Sequence, residues 1–371
     1  MQTDGERDRP LTQTTHEKKT AVVVGSGMAG AAAARTLLDA GWNVRVLEAE
    51  AELGGHSRTV GSSLGPIDMG VLYVHPRTYP VFMDLCHRAG VRLAPLNLGI
   101  HSVDDTSVLF SSDRPDEAGI PGMDALLDHL ESGAAQGTLA QAAMHAGIPM
   151  RAQNVGLKPV MGAFLVPQSH PAGLIGDART MPLLGRSTWY RVRDGFLSLI
   201  RRLLDGADVR TRSACSSIRQ IGDGEAAIFV VQHNSPTRGF EMCRADAVVL
   251  AVDPECAHAI ATRSESQRLK MATRRFRRFA RDEMTAILHT AGDVVLPAGA
   301  KSLQLLRFED PDASPKLRDG EDGRERYDVV YDFSRGRRGG LSHHSRFGFA
   351  RGRPILTYVE DGVARPRIPK D

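Results

Sequence analysis

Ala21-Val22-Val23-Val24-Gly25-Ser26-Gly27-Met28-Ala29-Gly30 is followed, after an alanine-rich stretch, by Asn43-Val44-Arg45-Val46-Leu47-Glu48. The first four residues are a short, β-branched apolar run cut off by glycine, which predicts a strand buried on both faces of a parallel sheet. The next six read G-x-G-x-x-G. Residues 31–40 are rich in alanine and predict a helix. Gly41 ends that helix as a C-cap glycine does. A second strand over Asn43–Leu47 carries Glu48 at its end, eighteen residues after Gly30.

Each piece has a physical job. Gly25 permits the tight turn out of the strand, Gly27 leaves the backbone open to a pyrophosphate, and Gly30 lets helix and strand pack closely. Met28 and Ala29 complete the loop, and the unpaired N–H groups and positive dipole end of the helix that follows suit phosphate. Glu48 can accept ribose hydroxyls and would repel the 2′-phosphate of NADP. Strand, loop, helix, strand and acid occur in order, so the reading is an α/β, Rossmann-type unit that binds a dinucleotide.

The residues after Glu48 separate FAD from NAD. Ala49 comes next, and Leu53-Gly54-Gly55-His56-Ser57-Arg58-Thr59 offers a second close backbone approach with a cation for phosphate at Arg58. FAD is longer than one mononucleotide fold covers, so a second loop is useful.

Residues 22–59 resemble the flavin-containing amine oxidase superfamily, which also holds protoporphyrinogen oxidase and phytoene desaturase. Its pattern is G-x-G-x-x-G, an acid, then Leu-Gly-Gly ending in Ser or Thr. One bacterial NAD/FAD-binding branch, often encoded beside cyclopropane-fatty-acyl synthases, is similar further on. It has histidine after Gly-Gly, as His56 here, then Asp-x-Gly, as Asp68-Met69-Gly70, then Arg77-Thr78-Tyr79-Pro80. Trp189-Tyr190-Arg191-Val192-Arg193-Asp194-Gly195 resembles a family segment ending in Gly-Gly, with Asp194 in place of the first glycine. Residues 209–218 are similar to the strand whose backbone contacts adenine, and Cys215 stands where valine is usual. Residues 245–251 resemble the late strand that returns to the flavin domain, and residues 281–297 are also similar. The resemblance implies FAD as cofactor and adds Thr59, Asp68, Gly70, Cys215 and Ala251 to the cofactor-binding set.

It also implies a discontinuous FAD-binding domain over 20–79 and 189–260, and an α+β substrate or cap domain over 80–188 and 261–334. Residues 1–19 read as a disordered lead-in and 335–371 as an irregular tail. The family's glycine-rich C-terminal flavin segment is not recognisable in that tail, so the expectation is a truncated or diverged end. Local patterning predicts helices over 124–146 and 196–204, a loop over 167–182, and strands over 226–233, 247–252 and 355–359. Residues 268–281 are basic, with Phe276 and Phe279 interleaved. They read as an amphipathic helix with a solvated basic face, the alternative being contact with an acidic head group.

Bulk properties set outer bounds. At 371 residues the chain holds two or three domains, and 42% hydrophobic with 25% charged residues is ordinary for a globular protein. A net charge of +3 is too small to imply nucleic-acid binding. Four cysteines without a C-x-x-C pair, and no His cluster at ligand spacing, predict no metal and a reduced, cytoplasmic chain. No run of about 18 apolar residues predicts a membrane span.

The expected activity is that of an FAD-dependent oxidoreductase of oxidase, dehydrogenase or desaturase type. It would take hydride from an amine or lipid-like small molecule, its one expected partner. The flavin carries the redox chemistry, so no catalytic triad is required and none is named. His56, Tyr73, His75, Tyr79 and His289 are candidates near the ring or, equally, packing residues, while His343 and His344 lack further ligands for a metal. The alternative is a homologue that holds a dinucleotide without net oxidation.

Overall fold

The computed structural model describes residues 18–62, 65–68, 70–96, 100–103, 108–111, 121–133, 139–150, 153, 188–222, 224–278, 283–289, 304–307, 328–331, 344–350, 356–360 and 363–366. The chain divides into two compact units. The first comprises Met1–Leu53 and Leu203–Arg274, the second Gly54–Arg202 and Arg275–Asp371.

The first unit is built on a four-stranded parallel sheet. Strand β1 (Thr20–Val24) lies between Ala247–Leu250 and β2 (Asn43–Leu47), and Asp208–Arg210 forms the far edge beside β2. Val22 and Val23 are fully buried, as expected for a strand covered on both faces. Each contributes roughly 1.5–3 kcal/mol of burial. Helix α1 (Met28–Asp39) packs through Gly30, Ala31 and Ala34, the small side of an alanine-rich helix. It ends in a Schellman turn: Gly41 (φ 83°) donates to the Leu38 carbonyl at 2.9 Å, and Trp42 to that of Leu37 at 3.0 Å.

The other face carries an antiparallel meander of Cys215–Ile221, Ile228–Ser235 and Gly239–Ala245. Its inward residues Cys215, Ile218, Val231 and Cys243 close a core with Val22, Val24 and Leu47. Helix Pro254–Arg263 joins that core through Ile260. Its N-terminus is capped by Asp253, whose Oδ1 accepts from the Cys256 N–H at 2.9 Å, and Pro254 occupies the first turn, where no N–H is needed.

The second unit holds the hairpin Thr59–Ser62 with Gly65–Asp68, and the pair Leu93–Leu96 with Trp189–Val192. It also holds helices Pro80–Arg88, Met123–Glu131 and Leu139–His145, and all but the last residue of Phe196–Leu203. An eight-stranded mixed sheet completes it. Its order is Val363–Pro366, Leu356–Glu360, Glu283–His289, His344–Ala350, Asp328–Tyr331, Gln304–Arg307, Ile100–Val103, Val108–Ser111. Three of those strands fall within 335–371: Leu356–Glu360 answers to the strand expected over 355–359, while His344–Ala350 and Val363–Pro366 lie where composition predicts irregular chain. The expected loop over 167–182 lies outside the described residues. The basic stretch is the helix Gln267–Thr273 followed by a 3₁₀ turn, Arg274–Arg278; Arg268, Arg274, Arg275 and Arg277 are exposed. Among the described residues no helix is long and apolar enough to cross a membrane, and no cluster of three or more His, Cys, Asp or Glu could hold a metal ion.

A Cβ added at Gly30 would lie 2.0 Å from the Gly25 carbonyl oxygen, a backbone atom that cannot swing aside. Gly30→Ala therefore costs about 1–3 kcal/mol, the usual range for overpacking. Thermal unfolding will show a midpoint several degrees below wild type; an unchanged midpoint would contradict this close approach.

Candidate functional site

The site begins at the elbow between β1 and α1. Gly25 turns there with φ 99°, and its N–H donates to the Leu47 carbonyl at 2.8 Å, which ties the loop to β2. A Cβ at Gly25 would meet the Ala251 carbonyl oxygen at 2.5 Å, so Ala251 walls the elbow with its own backbone. Ala251 is held there by its N–H bond to the Val24 carbonyl at 2.8 Å.

Gly27 is the N-cap of α1, and the first helical bond runs from the Ala31 N–H to its carbonyl at 2.9 Å. No side chain caps this end, and no acidic residue lies in the first turn. The N–H groups of Met28, Ala29 and Gly30 therefore have no helical acceptor, and the positive end of the helix dipole is left for an anion. Ala29 is exposed and Gly27 and Met28 are half-buried, so the loop can be approached.

Glu48 stands beside this loop, 8% exposed. Its Oε2 accepts from the Ser26 N–H at 2.9 Å and the Ser26 hydroxyl at 2.5 Å, while Oε1 accepts from the Glu50 N–H at 2.9 Å. A carboxylate offers about four acceptor positions, so capacity for another hydroxyl remains. Ala49 is exposed next to it. Cys215 turns its thiol into the core, where burial pushes the thiol's pKa up to about 12, so only its backbone could serve a ligand. The bare elbow, the uncapped helix and the buried carboxylate fit the ADP half of a dinucleotide.

In the second unit, Gly54 (φ 114°) and Gly55 (φ 53°) form a turn closed by the Ser57 N–H donating to the Gly54 carbonyl at 2.8 Å. The His56 ring is exposed; its backbone carbonyl is packed instead, since a Cβ at Gly70 would sit 1.9 Å from it. Arg58 is half-buried. Thr59 and Asp68 cap the helix Phe196–Leu203. Asp68 Oδ1 accepts from the Phe196 N–H at 2.9 Å and from the Thr59 hydroxyl at 2.5 Å, and the Thr59 oxygen accepts from the Leu197 N–H at 3.0 Å. Gly195 (φ 82°) is required here, because a Cβ would lie 2.3 Å from the Thr59 methyl.

His75 is buried against Trp189, ring centroids 5.2 Å apart, and its Nδ1 accepts from the Arg77 N–H at 3.2 Å. Burial, and then the nearby Arg77 charge, lower its pKa. Tyr73 meets the same indole edge-on at 5.3 Å, and Tyr79 is 43% exposed. His289 pairs with His344 in the large sheet, and His343 lies outside the described residues.

Comparison with known proteins adds the family. The model of the flavin containing amine oxidoreductases matches residues 28–148 and 157–282. The chain belongs to that family. The family is one of FAD-dependent oxidoreductases, and FAD is its cofactor. Polyamine oxidase 4 of Oryza sativa subsp. japonica is 37% identical over 97 residues; the match spans 25% of this chain and only 18% of the rice protein. Solved structures share the fold, these two among them. Cyclohexylamine oxidase from Brevibacterium oxydans IH-35A is 17% identical, with a TM-score of 0.55 over 91% of this chain and 76% of its own. The CLA-producing fatty acid isomerase from P. acnes is 15% identical, with a TM-score of 0.62 over 91% and 78%.

Ser26, which fixes Glu48, is absent from the sequence-based set. It stands at an unspecified position of the glycine motif, and its only signal in the sequence is being small and polar between two glycines. Asp68 gives a pH test. Burial raises its pKa to about 6, against the lowering effects of Thr59, the Phe196 N–H and Arg191. An acid raised in the folded state adds stability below its unfolded pKa and loses it as pH climbs through about 6. Asp68→Asn keeps the Oδ1 acceptor without the charge. It will be more stable than wild type at pH 8 by on the order of 2–3 kcal/mol, and the gap will close toward pH 4. A gap independent of pH would contradict this.

Proposed function

We propose that this chain is an FAD-dependent oxidoreductase of amine oxidase type, acting on an amine or a lipid-like small molecule. In this reading the first unit holds the ADP half of FAD: the elbow at Gly25 and Gly27 admits the pyrophosphate, and the free N–H groups of Met28, Ala29 and Gly30 bind it. Glu48, pinned by Ser26, accepts from the ribose. The observation that carries the reading is the uncapped, acid-free N-terminus of α1 directly after a turn at Gly25 that cannot bear a side chain. When bound, FAD supplies the hydride acceptor, and the chain's task is to aim the substrate C–H and exclude water.

A second reading is isomerisation without net oxidation, supported by the fold shared with the P. acnes fatty acid isomerase. The two separate on redox balance. Anaerobic mixing with an amine panel will bleach the flavin bands under the first reading. Turnover of an unsaturated fatty acid with no acceptor consumed would favour the second.

Glu48→Ala and Gly27→Val will lower FAD content, read as the ratio of visible to ultraviolet absorbance in folded protein. A charge-assisted hydrogen bond contributes about 1.5–3 kcal/mol, so Glu48→Ala should weaken FAD binding roughly ten- to a hundredfold. Unchanged content in both variants, or a colourless wild type that FAD cannot reconstitute, would refute the placement.

A further inference from the structure

A cleft of about 570 Å³ opens in the first unit, between the edge strand Asp208–Arg210 and the turn that joins Ile228–Ser235 to Gly239–Ala245. Its lining includes none of Gly25, Gly27, Gly30, Glu48, Cys215 or Ala251, although Ser213, which lines it, is bonded to the Glu48 backbone. Arg45, Arg210 and Arg238 line it. One carboxylate serves the first two: Asp208 Oδ2 meets Arg45 Nε at 2.7 Å and Oδ1 meets Arg210 Nε at 2.7 Å. That triad keeps one positive charge uncompensated. Arg238 touches Glu241 only at 3.7 Å and its side chain is 80% exposed, which makes it a loose pair, easily redirected.

The cleft also holds His233, only 3% exposed. Its Nδ1 lies 2.7 Å from the Asn234 carbonyl oxygen. A carbonyl can only accept, so Nδ1 carries the hydrogen, and in the neutral ring Nε2 is a bare acceptor. Among the described residues Nε2 has no hydrogen-bond partner. A buried acceptor of this kind, set in a cationic, polar cleft, calls for a donor on the same ligand that satisfies the guanidiniums. The lining at Ser213 is fixed by its N–H, which donates to the Glu48 carbonyl at 2.7 Å.

We infer that this cleft is a second binding site, for a small phosphorylated molecule that also carries a hydroxyl. The guanidiniums of Arg210 and Arg238 take the phosphate, which suits their planar donor geometry, and His233 Nε2 accepts from the hydroxyl. The volume suits a ligand of sugar-phosphate to mononucleotide size.

Glycerol 3-phosphate and inorganic phosphate are the probes, titrated calorimetrically into the full chain as purified. Glycerol 3-phosphate should bind saturably and more tightly than phosphate. Arg238→Ala should weaken both by about tenfold, and His233→Phe should abolish the preference between them. Gly27→Val, which blocks the cradle, should leave both unchanged, so the outcome does not depend on FAD being held. No saturable binding, equal affinity in Arg238→Ala and wild type, or loss of binding in Gly27→Val would overturn the inference. Should His233→Phe fail to fold, the exposed Arg238 still decides it.

Discussion

Three backbone segments crowd one point, and the first unit depends on that crowding. The Gly25 carbonyl lies where a Gly30 Cβ would be, and the Ala251 carbonyl lies where a Gly25 Cβ would be. Only residues without side chains let β1, α1 and the strand Ala247–Leu250 meet so closely. The same absence leaves the start of α1 bare, so a packing requirement and an anion-binding surface arise from the same two glycines. The helix is not rescued by a side-chain cap. Its donors are left for an anion.

Glu48 adds a second constraint. A nearly buried carboxylate is costly unless its oxygens are bonded. Here Ser26 and the Glu50 N–H supply three donors, and the Glu48 backbone is clamped by Arg210 and Ser213. The acid is thus held in place before any ligand arrives. Pre-organisation of this kind reduces the ordering cost of binding.

The strand–loop–helix–strand run over residues 20–48 was legible because its physics is local. A β-branched run, glycines at fixed offsets, an alanine-rich helix, its terminating Gly41 and an acid at a strand end can each be recognised within a few neighbours. Ser26 was not legible, since nothing in the motif demands a donor there. Nor was the work of Thr59 and Asp68. The sequence pattern sets them at the cofactor, yet their side-chain oxygens cap a helix more than a hundred residues later in the chain. Long-range hydrogen bonds leave no periodic trace. Gly195, required by the Thr59 methyl, is the other half of the same contact and reads alone as an ordinary turn glycine. Two C-terminal strands, His344–Ala350 and Val363–Pro366, escaped because strands of four to seven residues in a basic, glycine-rich stretch carry little alternation, whereas the short apolar run that forms Leu356–Glu360 was readable.

In the proposed function the elbow and the start of α1 grip the nucleotide end of FAD, not its flavin end. Competition against bound FAD discriminates between the two, with ADP and FMN as rivals and release followed by flavin fluorescence. ADP should displace FAD, and FMN should not. Displacement by FMN with indifference to ADP would mean that the elbow holds the wrong half of the cofactor, and the proposed site would fall.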